Sequence, residues 1–197
     1  MHYPEFFNQI QIIKLKDNLS DFLGTFDDGI VEFSYLDVAK SAGHSCPTVA
    51  GAYLMTLTAL RELYQNELPK RGEIKVSFKE DGISGVSGVI ANVITQITGA
   101  TNKNGFKGLN GKFVREGLME FNSSIASSAK FQRIDTNEFV EVIYNPNSIP
   151  PEPMMNQLMQ KMMQNLANQE EKKQFGILWQ KRVENIFANM DKVIQIV

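Results

Sequence analysis

The stretch EIKVSFKEDGISGVSGVIANVITQITG, residues 73–99, sets how this chain folds. Its first six residues, Glu73 to Phe78, alternate polar and apolar side chains, the period-two pattern of a strand with one buried face. Gly82, Gly85 and Gly88 follow, and then Val86, Val89, Ile90, Val93, Ile94 and Ile97 recur at offsets of 0, 3, 4, 7, 8 and 11, the spacing of one helix face. The β-branched content of that run opposes a helix by only roughly a few tenths of a kcal/mol per residue, so the periodic positions outweigh it. The predicted unit is strand, glycine loop and helix, with Gly99 as the helix stop.

Upstream, Pro47 to Tyr64 is apolar nearly all round, which predicts a buried central helix with Pro47 in its first turn. The first forty residues are less regular. Ile10 to Leu15 suits helix or strand, Asp27-Asp28-Gly29 a turn, and Ile30 to Tyr35 a strand. Downstream, a loop rich in Gly, Asn and Lys runs from Asn102 to Lys112. Phe131 to Ile134 and Phe139 to Tyr144 then read as a hairpin around Asp135-Thr136-Asn137. A proline-rich linker, Asn145 to Pro153, precedes a helical stripe of Met155, Leu158, Met159, Met162 and Leu166. A second helix carries Phe175, Leu178, Trp179, Val183, Ile186 and Phe187, and Val193 to Val197 reads as a short terminal strand. The predicted fold is α+β: a small mixed sheet flanked by the two central helices in residues 1–145, with residues 146–197 a C-terminal helical extension packed on the same domain. An apolar stripe that one compact domain cannot cover predicts a homodimer.

Composition bounds the function. A chain of 197 residues, 43% hydrophobic, is enough for one sizeable core. Twenty Lys and Arg against 22 Asp and Glu give a net charge of -2, which argues against a nucleic acid or an anionic membrane as partner. A single cysteine excludes an intrachain disulfide framework, a four-cysteine zinc ribbon and a cysteine-ligated iron–sulfur cluster built from one chain. No apolar run reaches the 18 or so residues that span a bilayer, and Met1 to Glu5 shows no export signal, so a cytoplasmic location is expected.

That one cysteine stands in Ala42-Gly43-His44-Ser45-Cys46-Pro47-Thr48. His44 and Cys46 are alternate residues of an extended turn. Imidazole with thiolate is a borderline-soft donor pair suited to zinc, nickel, iron or copper. Cys46 also lies immediately before the predicted helix, where free N–H groups and the macrodipole favour a thiolate. The alternative is a small buried cysteine beside a loop histidine. Gly82, Ser84 and Gly85, between strand and helix, are a candidate anion cradle, although the spacing is neither the Walker nor the dinucleotide fingerprint, and glycines also serve tight packing. Lys103, Lys107 and Lys112, with Arg115, are candidates to hold an acidic group at the same end of the sheet, or else a solvated loop. Glu80 and Asp81 are candidate oxygen ligands or bases. Met154, Met155, Met159, Met162 and Met163 fit an amphipathic packing surface better than a copper site.

The turn Gly43-His44-Ser45-Cys46-Pro47, opening an apolar helix, resembles the Gly-His-x-Cys-Pro signature of the FmdE family of formylmethanofuran dehydrogenase subunits. The resemblance continues through Leu68-Pro69-Lys70-Arg71-Gly72, Gly85-Val86, Thr98-Gly99-Ala100-Thr101 and Gly111-Lys112, covering roughly residues 33 to 121. It implies a sheet-and-helix layer like the catalytic-domain sheet of glyceraldehyde phosphate dehydrogenases, and a metal at His44 and Cys46. The chain also departs from the family. Where members usually carry Cys-Gly-Val-Asp after the strand, this chain has Ser84-Gly85-Val86-Ser87; their Thr-Gly-Cys-Thr is Thr98-Gly99-Ala100-Thr101; and the C-terminal zinc ribbon of several members is missing.

Three readings follow. The first is a metal-binding protein, with or without enzymatic activity, that holds one divalent transition ion, zinc first and nickel or iron next, at His44 and Cys46 beside a cleft for an anionic small molecule. The second is a metal-free thiol enzyme or binding module in which His44 serves Cys46 as base. The third is a non-catalytic subunit or scaffold using the methionine-rich helix.

Overall fold

The computed structural model describes all residues from Met1 to Val197. Strands β1 (Ile13–Lys16) and β2 (Ile30–Phe33) pair antiparallel as a two-stranded sheet around helix α1 (Asn18–Phe22), whose N-cap Asp17 accepts the N–H groups of Leu19 and Ser20. Helix α2 (Tyr35–Ala42) follows at once. The expected strand therefore ends at Phe33, because Ser34 and Asp37 form a capping box that turns the chain into helix, and Gly43, at φ 75°, ends it.

Helix α3 (Pro47–Tyr64) spans the residues its composition predicts and is buried without interruption from Val49 to Leu60. Such a helix has no solvent face to offer, so the rest of the chain is built around it. Strand β3 (Ile74–Phe78) and helix α4 (Ser87–Thr98, with Gly99 at its C-terminus at φ 76°) are the unit read from residues 73–99. Next come β4 (Met119–Glu120), β5 (Ala129–Arg133) and β6 (Phe139–Tyr144). The chain closes with α5 (Pro153–Met163), α6 (Gln169–Ala188), α7 (Met190–Val193) and β7 (Ile194–Ile196).

Five strands form the main sheet in the order β4-β3-β5-β6-β7, parallel only between β3 and β4, so the sheet is mixed and the fold α+β as expected. The register sets Val76 opposite Phe131 and Ala129 opposite Val142, and these four residues meet α3 in one core. Helix α4 packs beside α3, and α6 crosses α3 to add Val183 and Ile186 to the same core, while β7 pairs with β6. Helix α5 buries Met155 and Leu158; Leu166, expected on its stripe, falls beyond the helix end and is exposed.

One cluster ties the two sheets together. Asp17 accepts a 2.9 Å hydrogen bond from Arg71 and a 2.7 Å bond from buried Arg115. Burial works to raise the Asp17 carboxyl, but the Arg71 hydrogen bond and the Arg115 charge outweigh it and hold the group below the ordinary carboxylate value. Arg115 lies so close to Gly72 and Gly99 that a Cβ at Gly72 would stand 1.8 Å from the guanidinium. It is a structural residue rather than a loop cation awaiting a ligand. No helix is long and apolar enough to cross a membrane.

Candidate functional site

The turn between α2 and α3 is held from several directions. Trp179 donates its indole N–H to the Ser45 carbonyl at 2.9 Å, and Gln180 Nε2 reaches the same oxygen at 3.3 Å, so α6 fixes the backbone of the turn. The Ser45 hydroxyl pairs with the Tyr35 hydroxyl at 2.9 Å. Gln180 Oε1 is buried beside the turn without a partner. Cys46 is the N-cap of α3, and its sulfur accepts the Val49 N–H at 3.4 Å. A thiol in that role is an unusual cap, since Ser, Thr, Asp and Asn make stronger acceptors.

His44 is exposed, and its Nδ1 lies 2.9 Å from the Ala42 carbonyl. A carbonyl can only accept, so Nδ1 carries the proton and, in the neutral ring, the lone pair is on Nε2. That is the tautomer a metal-ligating histidine adopts when a backbone carbonyl orients it. The imidazole lines a groove of about 180 Å³ with Ser41, Val89, Asn92 and Gln96 of α2 and α4.

A larger cleft of about 350 Å³ opens between the first turns of α3 and α4. Thr48, Lys79, Glu80, Ser87, Ser127 and Ser128 supply its polar groups, and Tyr144 closes one side. The Tyr144 ring rests against Gly51, where a Cβ would come within 2.2 Å of it, and its hydroxyl donates to the Pro47 carbonyl at 2.6 Å. Burial, with the charge of Cys46 as a smaller contribution, holds the Tyr35 and Tyr144 hydroxyls well above the ordinary phenol value, so both stay neutral near pH 7. Cys46 itself is buried and lines neither opening; its neighbour Pro47 is the residue that the Tyr144 hydroxyl is bonded to.

The other residues singled out in the sequence do not gather here. Gly82 packs on the Phe121 ring, Gly85 takes φ +51°, and Ser84 is exposed with its N–H bonded to Asp81. The Glu80 carboxylate accepts the Ser87 hydroxyl at 2.8 Å at the start of α4, so the loop's own side chain sits where an external anion was expected. Asp81 accepts the Ile83 N–H and the Asn122 amide, which hold its carboxyl below the usual range. Lys103, Lys107 and Lys112 are exposed on the loop that follows Gly99, at the opposite end of α4. Twelve residues of helix, about 18 Å, separate the two ends, so the expectation that these lysines share an end with the glycine loop is corrected. Tyr144, Trp179, Lys79 and the serines at 127 and 128 were not singled out as site residues. Only Trp179 carried a signal, as the lone tryptophan on an apolar helix face.

Metal fit follows from the donor set. No group of three or more His, Cys, Asp or Glu side chains is placed to hold an ion. The chain offers two donor residues on one turn, His44 exposed with Nδ1 on the Ala42 carbonyl and Cys46 buried at the helix start, and two donors are half of a tetrahedral set.

The structure thus defines an α+β protein with a His-x-Cys turn capping a buried helix beside a strand–glycine-loop–helix unit. The family described as "FmdE, Molybdenum formylmethanofuran dehydrogenase operon" matches residues 42–195. The chain belongs to this family, and the match runs past the hairpin through α5 and α6 into β7. No curated protein matches the chain.

Proposed function

We propose that this protein, as a cytoplasmic homodimer, binds one divalent transition ion per chain, zinc first with nickel and iron as the other candidates, through His44 Nε2 and the Cys46 thiolate. The observation that carries this reading is the Nδ1 contact to the Ala42 carbonyl, which leaves Nε2 as the ring's donor atom two residues from the thiol. Membership of a family typically associated with metal supports it. With two protein donors, the remaining positions fall to water or to a bound small molecule, the layout of a reactive rather than a sealed site. A bound ion would act there as a Lewis acid toward a water or a carbonyl oxygen. The protein's own part is to hold the donors: Trp179 and Gln180 fix the Ser45 carbonyl, and the Tyr35 and Tyr144 hydroxyls are bonded to Ser45 and Pro47 on either side of Cys46.

Cobalt(II) substitution tests the ligand assignment. Wild type is expected to show a thiolate-to-cobalt charge-transfer band that Cys46→Ser abolishes and His44→Ala weakens or shifts; cobalt spectra identical in all three proteins would contradict it. A second reading, a metal-free thiol site, is favoured by one observation, the Val49 N–H on the Cys46 sulfur at the start of an 18-residue helix. Stoichiometric alkylation of Cys46 by iodoacetamide, unchanged by zinc, would support that reading over the first.

A further inference from the structure

The cleft between α3 and α4 is lined by neither His44 nor Cys46, and three of its polar side chains keep an unspent hydrogen-bond donor. Lys79 lines it and forms no ion pair. The Thr48 hydroxyl lines it without a protein partner. Ser128 Oγ accepts the Tyr144 N–H, which leaves its own proton free to donate. The other groups are already used: Ser127 donates to Glu141, Ser87 donates to Glu80, and the Tyr144 hydroxyl is spent on Pro47. Glu80 is the one carboxylate present, and one of its oxygens is taken by Ser87. Lys79, Thr48 and Ser128 therefore each keep an unspent donor, and the Lys79 donor carries a full positive charge. Phe78, Val86, Ile90 and Ile143 make the remaining wall apolar. At about 350 Å³ the cleft is at the small end of ligand pockets.

We propose that this cleft binds a small organic carboxylate, its oxygens on Lys79, Thr48 and Ser128 and its apolar body against Phe78, Ile90 and Ile143, and that it is the approach to Cys46. Position makes it the approach. Thr48 belongs to the turn of helix that Cys46 caps, and Tyr144, which lines the cleft, is bonded to Pro47 next to the cysteine. The cleft needs no metal to bind its ligand, so metal-free protein serves for the test.

Cys46 is the only cysteine, so under this proposal its alkylation reads passage through the cleft. Iodoacetate and iodoacetamide have nearly the same size and the same leaving group and differ in charge. With either, the thiolate sulfur bonds the methylene carbon, the carbon–iodine bond breaks and iodide leaves with the electron pair. The ratio of the iodoacetate rate to the iodoacetamide rate is measured by mass shift in chelator-treated protein, with the urea-unfolded chain as reference. The native ratio is expected to exceed the unfolded ratio about tenfold, as a guiding charge would produce, and to return to within about twofold of it in Lys79→Gln. Tyr144→Phe, which keeps the ring but frees it from Pro47, is expected to raise both rates together and leave the ratio alone. Three results would overturn the proposal: a native ratio no higher than the unfolded one, a raised ratio that survives Lys79→Gln, or a native Cys46 inert to both reagents while the unfolded chain reacts to completion. None of these bears on metal content, so the metal reading stands or falls separately.

Discussion

The indole N–H of Trp179 donates to the carbonyl of Ser45 at 2.9 Å, joining a C-terminal helix to the turn that carries His44 and Cys46. Ser45 stands between the two residues in sequence, so what fixes its carbonyl fixes the turn that carries both. Trp179→Phe keeps an aromatic ring against the core and removes only the donor. A single net hydrogen bond contributes about 0.5–1.5 kcal/mol to stability, so the denaturation midpoint is expected to fall accordingly, and zinc affinity to fall with it as the turn loosens. Urea titration measures the first, and competition against a chromophoric chelator the second.

Asp17 is the shared acceptor of Arg71 and Arg115 and is nearly inaccessible to solvent. Replacing it with alanine strands two cationic groups around a hole, and breaking a buried pair this way costs about 3–5 kcal/mol. The sign of the pH effect follows from the depressed carboxyl. With an unfolded value near 3.9, the stability Asp17 contributes is present above about pH 4 and is lost as pH falls through its lower folded value. Asp135 acts in the same direction, held low by Arg133 and Lys70. Urea midpoints are expected to be flat from neutrality to about pH 5 and to drop below pH 4, with a shallower drop in Asp17→Asn.

Gly51 is the only glycine of α3, and the Tyr144 ring packs against it. In Gly51→Ala the new methyl meets the Tyr144 ring, which is tethered by its hydroxyl to Pro47 and cannot withdraw without losing that bond. Overpacking of this kind costs about 1–3 kcal/mol. The displaced tyrosine should also expose the thiol, so faster alkylation of Cys46 should accompany the lower melting temperature. A melting temperature at or above that of wild type would show that the ring is free to move.

What could be read in the sequence divides along a physical line. The buried helix Pro47–Tyr64, the strand at Ile74–Phe78, the helix Ser87–Thr98 and the β5–β6 hairpin each carry their own periodicity and stops, so local pattern sufficed. Helix α2 had a local signal too, the Ser34/Asp37 capping box, hidden by the β-forming residues just before it. Strand β4 has two residues and exists only because β3 offers it an edge, which no local pattern encodes. The site behaves likewise. The His-x-Cys turn stood out because both donors lie in one short segment. Tyr144 and Trp179 reach it from 97 and 134 positions away, through contacts that only the folded chain creates. Arg115 and the three loop lysines look alike in sequence, and the partner that separates them, Asp17, is 98 residues distant.

Whether His44 and Cys46 together hold a metal ion is decided by elemental analysis of protein purified without a histidine tag. After reconstitution with zinc and desalting, wild type is expected to carry close to one equivalent per chain, with Cys46→Ser and His44→Ala each losing most of it, since removing one of two protein donors leaves too few to retain the ion. Less than about a tenth of an equivalent of any transition metal in wild type, or the same metal content in all three proteins, would refute a site at His44 and Cys46.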